Sequence, residues 1–264
     1  TRNVTQYDQS ADLRFVALDH MISNGFQSWA WTFGAQHGGW ASEDAFWQVR
    51  SAYAGDTVEI WRLMQDEESR AKAYEEIERE SALDDERARD DRFAYLPGLM
   101  LRMRVAVAFS VLEKFEAQGL SGSELRFAFI RDLEAAIFES SIFAHEGRHA
   151  IDKRIGDFDS ATLEYRAKLS QMAFAPYPRL ALSGIIAPNT REWDTTPHAK
   201  ANRRAIDGLL DWMEDHADEI DGLDEARPLL PQVDRMSDEQ LREAFRSMDP
   251  LAKGRQMNTG VRSR

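Results

Sequence analysis

The most informative residues of the chain are two histidines that lie one helical turn apart. Residues 145–149 read His-Glu-Gly-Arg-His, which is a His-Glu-x-x-His pattern. Residues i and i+4 share one face of a helix, so the imidazoles of His145 and His149 can bind one metal ion. Glu146 lies beside that face, where its carboxylate can take a proton from water at the metal. The motif predicts a metal-dependent hydrolytic centre.

A third ligand must come from elsewhere in the chain, because a catalytic zinc ion normally has three protein ligands and one open position. The sequence contains no cysteine, so the ligands must be nitrogen and oxygen atoms. Glu164 is the leading candidate, since a loop containing Gly156 lets the next helix fold back against the first. The alternative is an ordinary first-turn glutamate, stabilised by the helix dipole. Asp152 shares the histidine face but lies about 10 Å along the axis from His145, so we interpret it as a supporting or surface carboxylate.

These residues resemble the gluzincin group of zinc metallopeptidases, in which a glutamate on a later helix follows a His-Glu-x-x-His helix. The resemblance spans about residues 139–175 and is carried by His145, Glu146, His149 and Glu164. It implies a zinc ion held by the two histidines and Glu164, with Glu146 activating the water. It also implies a peptide or protein substrate. The strongly helical upstream region differs from the sheet that such enzymes commonly have there.

Peptide hydrolysis would also need a donor that stabilises the oxyanion. Four side chains are candidates: Tyr165, Arg166, Tyr177 and His198. We favour Tyr177, which lies in the turn after the Glu164 helix. Glu139 could orient a ligand, or it could be a plain surface glutamate.

The overall composition limits the function without specifying it. The chain has 264 residues, 43% hydrophobic and 30% charged, which is typical of a globular protein of one large or two small domains. Its formal net charge of −13 argues against a general nucleic-acid binder.

No run of 18 apolar residues predicts a membrane span. Because the sequence begins at Thr1 rather than at methionine, we expect a trimmed or processed chain, either cytoplasmic or exported after signal removal. The oligomeric state stays open.

The elements that must position the motif are predicted to be mainly α-helical, with at most a small sheet around a zincin-like helix pair. We divide the chain into an aromatic-rich and charged helical region (1–98), a zincin-like metal-binding helical region (99–250) and a flexible basic tail (251–264). Aromatic and glycine residues are concentrated in residues 1–55. They indicate either a packed lobe or a groove that binds sugar or peptide.

Helical periodicity predicts a long surface helix over 56–92, with a break near Ser81. Residues 101–112 are ambiguous, because alternating apolar residues are typical of a strand whereas the frequent alanines favour a helix. A strand there could form the edge along which a peptide substrate pairs.

Cap signals predict the helices around the motif. Ser121 and Glu124 form a predicted capping box for a helix that runs through the motif and ends at Gly156. Further helices are predicted over 161–174, over 199–220 and from a second capping box at 237–240 to about residue 248.

Three other interpretations remain open. Glu146 and His149 also fit the Glu-x-x-His step of helical di-iron proteins, but that site needs a second such step, which the sequence lacks. A second interpretation is a binding or scaffold protein on a zincin-like fold that cuts nothing. A third is an all-helical protein in which both histidines are ordinary structural residues.

Overall fold

The computed structural model describes residues 1–18, 39–41, 45–49, 51–186 and 195–252. The strands within them are β1 (Arg2–Gln6), β2 (Gln9–Leu18), β3 (Gly39–Ala41) and β4 (Ala45–Val49). The α-helices are α1 (Ser51–Met64), α2 (Glu67–Asp90), α3 (Pro97–Glu116), α4 (Gly122–Ile137), α5 (His145–Ile155), α6 (Ser160–Ala173), α7 (Pro178–Ile185), α8 (Pro197–Asp215) and α9 (Asp238–Met248). A π-helical segment (Phe138–Ala144) joins α4 to α5, and 3-10 segments occupy Ala217–Glu219 and Leu230–Arg235.

The sheet is small and has the strand order β1-β2-β4-β3. β1 and β2 form an antiparallel hairpin, β2 pairs parallel with β4, and β3 pairs antiparallel with β4. The remaining described elements are helical, which confirms the predicted mainly α fold with at most a small sheet. Within the described residues, no helix combines the length and the apolar composition needed to cross a membrane.

Two apolar clusters hold the helices together, and α3 contributes to both. Leu99 and Met103 pack into a cluster formed mainly by α6, α7, α8 and α9. Val107 and Val111 pack into a second cluster with α1, α2 and α4. Helix α3 therefore lies between two helical layers and is buried on more than one side.

This burial explains why the strand interpretation of residues 101–112 is wrong. A helix that is buried on several sides has apolar residues around most of its circumference, so its pattern is no longer a single stripe. The alternation in the sequence reflects this double contact. Because the segment is helical, it cannot form a substrate-pairing edge.

The long helix predicted over 56–92 is broken, but not near Ser81. The break lies at residues 65–66, where the Asp66 carboxylate caps α2 by accepting a hydrogen bond of 2.8 Å from Ser69 N. Ser81 lies instead inside α2, where α3 crosses it closely. A Cβ atom built on Gly98 would lie 2.5 Å from Ser81 N, so this crossing requires a glycine.

The caps near the motif follow the predictions in part. Ser121 occupies the N-cap of α4, but its side chain makes no capping hydrogen bond, so the first predicted capping box is wrong. Helix α5 ends at Gly156 and the capping box of Ser237 with Gln240 is present, as predicted. Phe26, Trp29, Trp31 and Phe33 of the aromatic N-terminal region, and the tail from residue 253, lie outside the described residues.

Candidate metal centre

Helices α5 and α6 bring together the three residues predicted as metal ligands. One ligand atom each from His145, His149 and Glu164 lies within 4.8 Å of the other two. Nε2 of His145 lies 3.4 Å from Oε2 of Glu164, and Nε2 of His149 lies 3.5 Å from Oε1. The two imidazole rings are nearly perpendicular, with centroids 4.9 Å apart. Both Nε2 atoms therefore face one carboxylate.

The fold-back of α6 follows from a short connection with a strong cap. Helix α5 ends at Ile155 with Gly156 as its C-cap, and α6 starts four residues after Gly156, at Ser160. Asp159 is the N-cap of α6, and its carboxylate accepts a hydrogen bond of 2.9 Å from Thr162 N. This fixed start places Glu164 opposite the histidine face of α5.

The sheet supports α5 from another side. A Cβ atom built on Gly147 would lie 2.3 Å from Cγ1 of Val4, so β1 approaches α5 closely only because residue 147 is glycine. Gln6 Nε2 donates a hydrogen bond of 2.6 Å to the carbonyl oxygen of Ala144, in the π-helical segment. Segments of this kind are frequent at functional sites. This one immediately precedes His145.

A buried amide orients the first histidine. Nδ1 of His145 lies 3.3 Å from Oε1 of Gln171, and in the neutral tautomer that carries its proton on Nδ1 the ring donates a hydrogen bond to this oxygen. Gln171 is in turn within 3.4 Å of the Ser141 hydroxyl through its Nε2. With its Nδ1 proton held in this way, His145 presents the lone pair of Nε2 towards Glu164.

A buried ionic network fixes the rotation of α5. Arg148, inside the motif, is fully buried. Its guanidinium donates to both carboxylate oxygens of Asp152 at 2.9 and 3.0 Å, and to both oxygens of Asp249 at 2.7 and 2.8 Å. It also donates to the Ser170 hydroxyl at 3.0 Å. Arg148 thereby ties α5 to α6 and to the C-terminal end of α9.

This network also defines the role of Asp152. The side chain is fully buried, and both of its oxygens accept hydrogen bonds from Arg148 and Arg166. Its lone pairs are used by these guanidinium groups, so Asp152 supports the helix pair. Of the two roles considered from the sequence, the surface carboxylate is therefore wrong.

Burial and the local charges shift the pKa values of the cluster. Burial lowers the pKa of His145 to about 4, which keeps the ring in the neutral form that binds metals. Burial opposes protonation of His149, but the contact with Glu164 and the charge of Glu146 outweigh it and raise the pKa of His149. Burial raises the pKa of Glu146 to about 7.

Glu164 is held as a carboxylate. Burial opposes its ionisation, but the contacts with His145, His149 and His198 outweigh burial and hold the Glu164 pKa far below its usual range. Its Oε2 atom is buried and, among the residues that the structure describes, meets the geometric criterion of a hydrogen bond with none, although Nδ1 of His198 lies 3.0 Å away. The Glu164 carboxylate and the two imidazole nitrogens that converge on it are nitrogen and oxygen donors of the kind that bind divalent metal ions. The donor set therefore fits a metal ion.

The other predicted side chains are placed differently. His198 reaches Glu164 from the start of α8 and is 54% exposed. The Tyr177 hydroxyl donates to Asp132 on α4, so it is committed to another contact, and its role at a reaction centre stays a prediction. Glu139 forms an exposed ion pair with Arg2 and makes no hydrogen bond or ion pair with His145, His149 or Glu164.

The two remaining donor candidates are also committed to other contacts. Arg166 binds Asp152 and lies over the Phe158 ring at 4.6 Å. Tyr165 is buried in the α6–α9 cluster, with the Arg204 guanidinium 3.9 Å from its ring centroid.

Sequence reasoning missed three residues near the cluster: Gln171, Arg148 and Lys168. Lys168 follows Glu164 by four residues and Gln171 follows it by seven, so Glu164, Lys168 and Gln171 lie on one face of α6. The positions of Lys168 and Gln171 beside the cluster could therefore be predicted from the sequence once Glu164 was taken as a ligand. The role of Arg148 could not be predicted from the sequence, because its partner Asp249 lies 101 residues away.

Comparison of the chain with protein-family models, curated proteins and solved structures finds no significant match. The functional assignment therefore depends on the chemistry of the site.

Proposed function

We propose that the chain is a zinc-dependent hydrolase, and more specifically a metallopeptidase, with His145, His149 and Glu164 as the metal ligands and Glu146 as the general base. The observation that carries this proposal is the convergence of the three ligand atoms within 4.8 Å, on two helices that the buried network holds together. Three protein ligands are the number typical of catalytic rather than structural zinc sites.

Each residue of the site would contribute a separate function. Zinc, when bound, supplies a Lewis acid that polarises a carbonyl group and lowers the pKa of water. Glu146 accepts the proton that the attacking water loses and delivers it to the leaving amine nitrogen. Gln171 holds the His145 ring in the ligating tautomer, and His198 restrains the Glu164 carboxylate.

The test separates metal binding from turnover. The wild-type chain and the Glu146→Gln variant are compared for zinc content by mass spectrometry and for cleavage of a quenched fluorescent peptide library. Glu139→Gln is the matched control, because Glu139 is a glutamate on the preceding helical segment that pairs with Arg2. We expect about one zinc per chain in all three proteins. Cleavage should fall about 100-fold or more only in Glu146→Gln.

Two results would contradict separate parts of the proposal, the general base and the peptidase activity. Full cleavage by Glu146→Gln would remove the general-base assignment. Zinc in the wild type without cleavage of any library peptide would replace the peptidase by a metal-binding protein of another activity.

A further inference from the structure

Lys168 lies on the same face of α6 as two residues that contact His145. Glu164 faces Nε2 of His145 and Gln171 contacts its Nδ1. Lys168 follows Glu164 by four residues and precedes Gln171 by three, so the three residues form one stripe on the helix. The stripe faces α5, and Lys168 is in its middle.

The Lys168 side chain has no partner of its own in the described part of the chain. No hydrogen bond and no ion pair within 4.0 Å involves its ammonium group among those residues, and the side chain is only partly buried. Burial nevertheless withdraws part of the side chain from water and lowers the pKa of Lys168, and lysines in such positions are normally paired. The charges of Glu164 and Glu146 raise the pKa of Lys168 against the effect of burial, and Lys168 in turn lowers the pKa of His145, so its charge interacts with residues of the metal cluster. An unpaired cation at such a place is available to a bound ligand.

The charge balance of the filled site indicates which ligand this cation suits. A divalent metal and the carboxylates of Glu146 and Glu164 together are neutral when both histidines are neutral. Lys168 adds one positive charge, so the site favours an anion over a neutral ligand. During amide hydrolysis a negative charge develops on the carbonyl oxygen as water attacks the carbonyl carbon.

We propose that Lys168 is a catalytic residue that donates a hydrogen bond from Nζ to the oxyanion of the tetrahedral species in peptide hydrolysis. This inference depends on the proposed hydrolase function. In the balanced step, the water oxygen bonds to the carbonyl carbon, the carbon–nitrogen bond breaks, and Glu146 carries the proton from water to the amine. Lys168 keeps its own proton throughout.

The kinetic test uses Lys168→Met, Lys168→Arg and the control Lys153→Met. Lys153 is an exposed lysine of α5 whose charge also acts on Glu146 and His149, so its removal measures the effect of charge at a distance. Lys168→Met should keep about one metal per chain and lower kcat about 100-fold, with KM changed less than about threefold. Lys168→Arg should recover part of the loss, and Lys153→Met should resemble the wild type.

A binding test is independent of turnover. In the cobalt-substituted proteins, inorganic phosphate serves as a tetrahedral anion, and its dissociation constant is read from visible absorption. We expect Lys168→Met to weaken phosphate binding about 10-fold or more, and Lys153→Met to change it little. Equal phosphate affinity and equal kcat in Lys168→Met would overturn the inference, as would loss of metal from this variant. If the wild type binds phosphate through Lys168 but cleaves no peptide, the anion-binding role of Lys168 is supported and the peptidase proposal fails.

Discussion

Replacing Arg148 by methionine should destabilise the protein strongly, although Arg148 is not one of the proposed metal ligands. The side chain is fully buried and donates two hydrogen bonds to Asp249, two to Asp152 and one to Ser170. Methionine has a similar length, so the change removes mainly the charge and the five hydrogen bonds. Asp152 retains Arg166 as a partner, whereas Asp249 loses its only ion-pair partner among the described residues.

The expected magnitude follows from that asymmetry. Breaking a buried ion pair by removing one partner costs about 3–5 kcal/mol of the free energy of unfolding, because the other charge stays buried and uncompensated. If Asp249 is the group left unpaired, then Asp249→Leu in the Arg148→Met background should recover part of the loss. The double variant should therefore be more stable than Arg148→Met alone.

Urea unfolding of the metal-free proteins measures these free energies, with Arg166→Met as the matched control that leaves both carboxylates paired with Arg148. A loss below about 1 kcal/mol in Arg148→Met, or a double variant less stable than the single one, would refute the reasoning. Zinc titration of the same proteins then shows whether the rotation of α5 matters to the site. We expect weaker zinc binding in Arg148→Met.

Three further changes test the surroundings of the site. Gly147→Ala should cost about 1–3 kcal/mol of unfolding free energy, because its Cβ would meet Val4 at 2.3 Å. The control Gly184→Ala, whose Cβ would meet no described atom within 4 Å, should be neutral or stabilising in the same thermal melts. Gln171→Leu should weaken zinc binding about 10- to 100-fold in a chelator competition, because His145 loses the acceptor that orients it; unchanged affinity would contradict this role. The pKa of His149 is raised, so at a pH below that pKa zinc must displace a proton from the His149 ring. The zinc affinity should therefore fall up to about tenfold per pH unit as the solution is acidified. A zinc affinity independent of pH between about 5.5 and 7 would contradict this prediction.

The parts of the site that follow from local geometry were predictable. The spacing of His145 and His149 on one helix face depends only on helical periodicity. The position of Glu164 depends on a short loop with a recognisable cap at Asp159. These features need no knowledge of distant contacts, and the structure brings the three side chains together.

The remaining features depend on contacts between distant segments. The packing of α6 and α7 decides whether Tyr177 faces the metal cluster or Asp132. That packing produces no pattern in the local sequence. The alternation over residues 101–112 misleads because α3 is buried by two helical layers. The local sequence gives no sign that Arg148 is buried, because its partner Asp249 comes from the distant end of α9.

The most direct test of the central claim is the metal content of the chain purified without a nickel column. The wild type is measured beside His149→Ala and Glu164→Ala, with Glu139→Ala as a control outside the cluster. About one zinc per chain in the wild type and the control, and its loss from both ligand variants, is the expected result. Full zinc content in Glu164→Ala would contradict the three-ligand site. No zinc in the wild type, even after zinc is supplied, would contradict the metal centre itself.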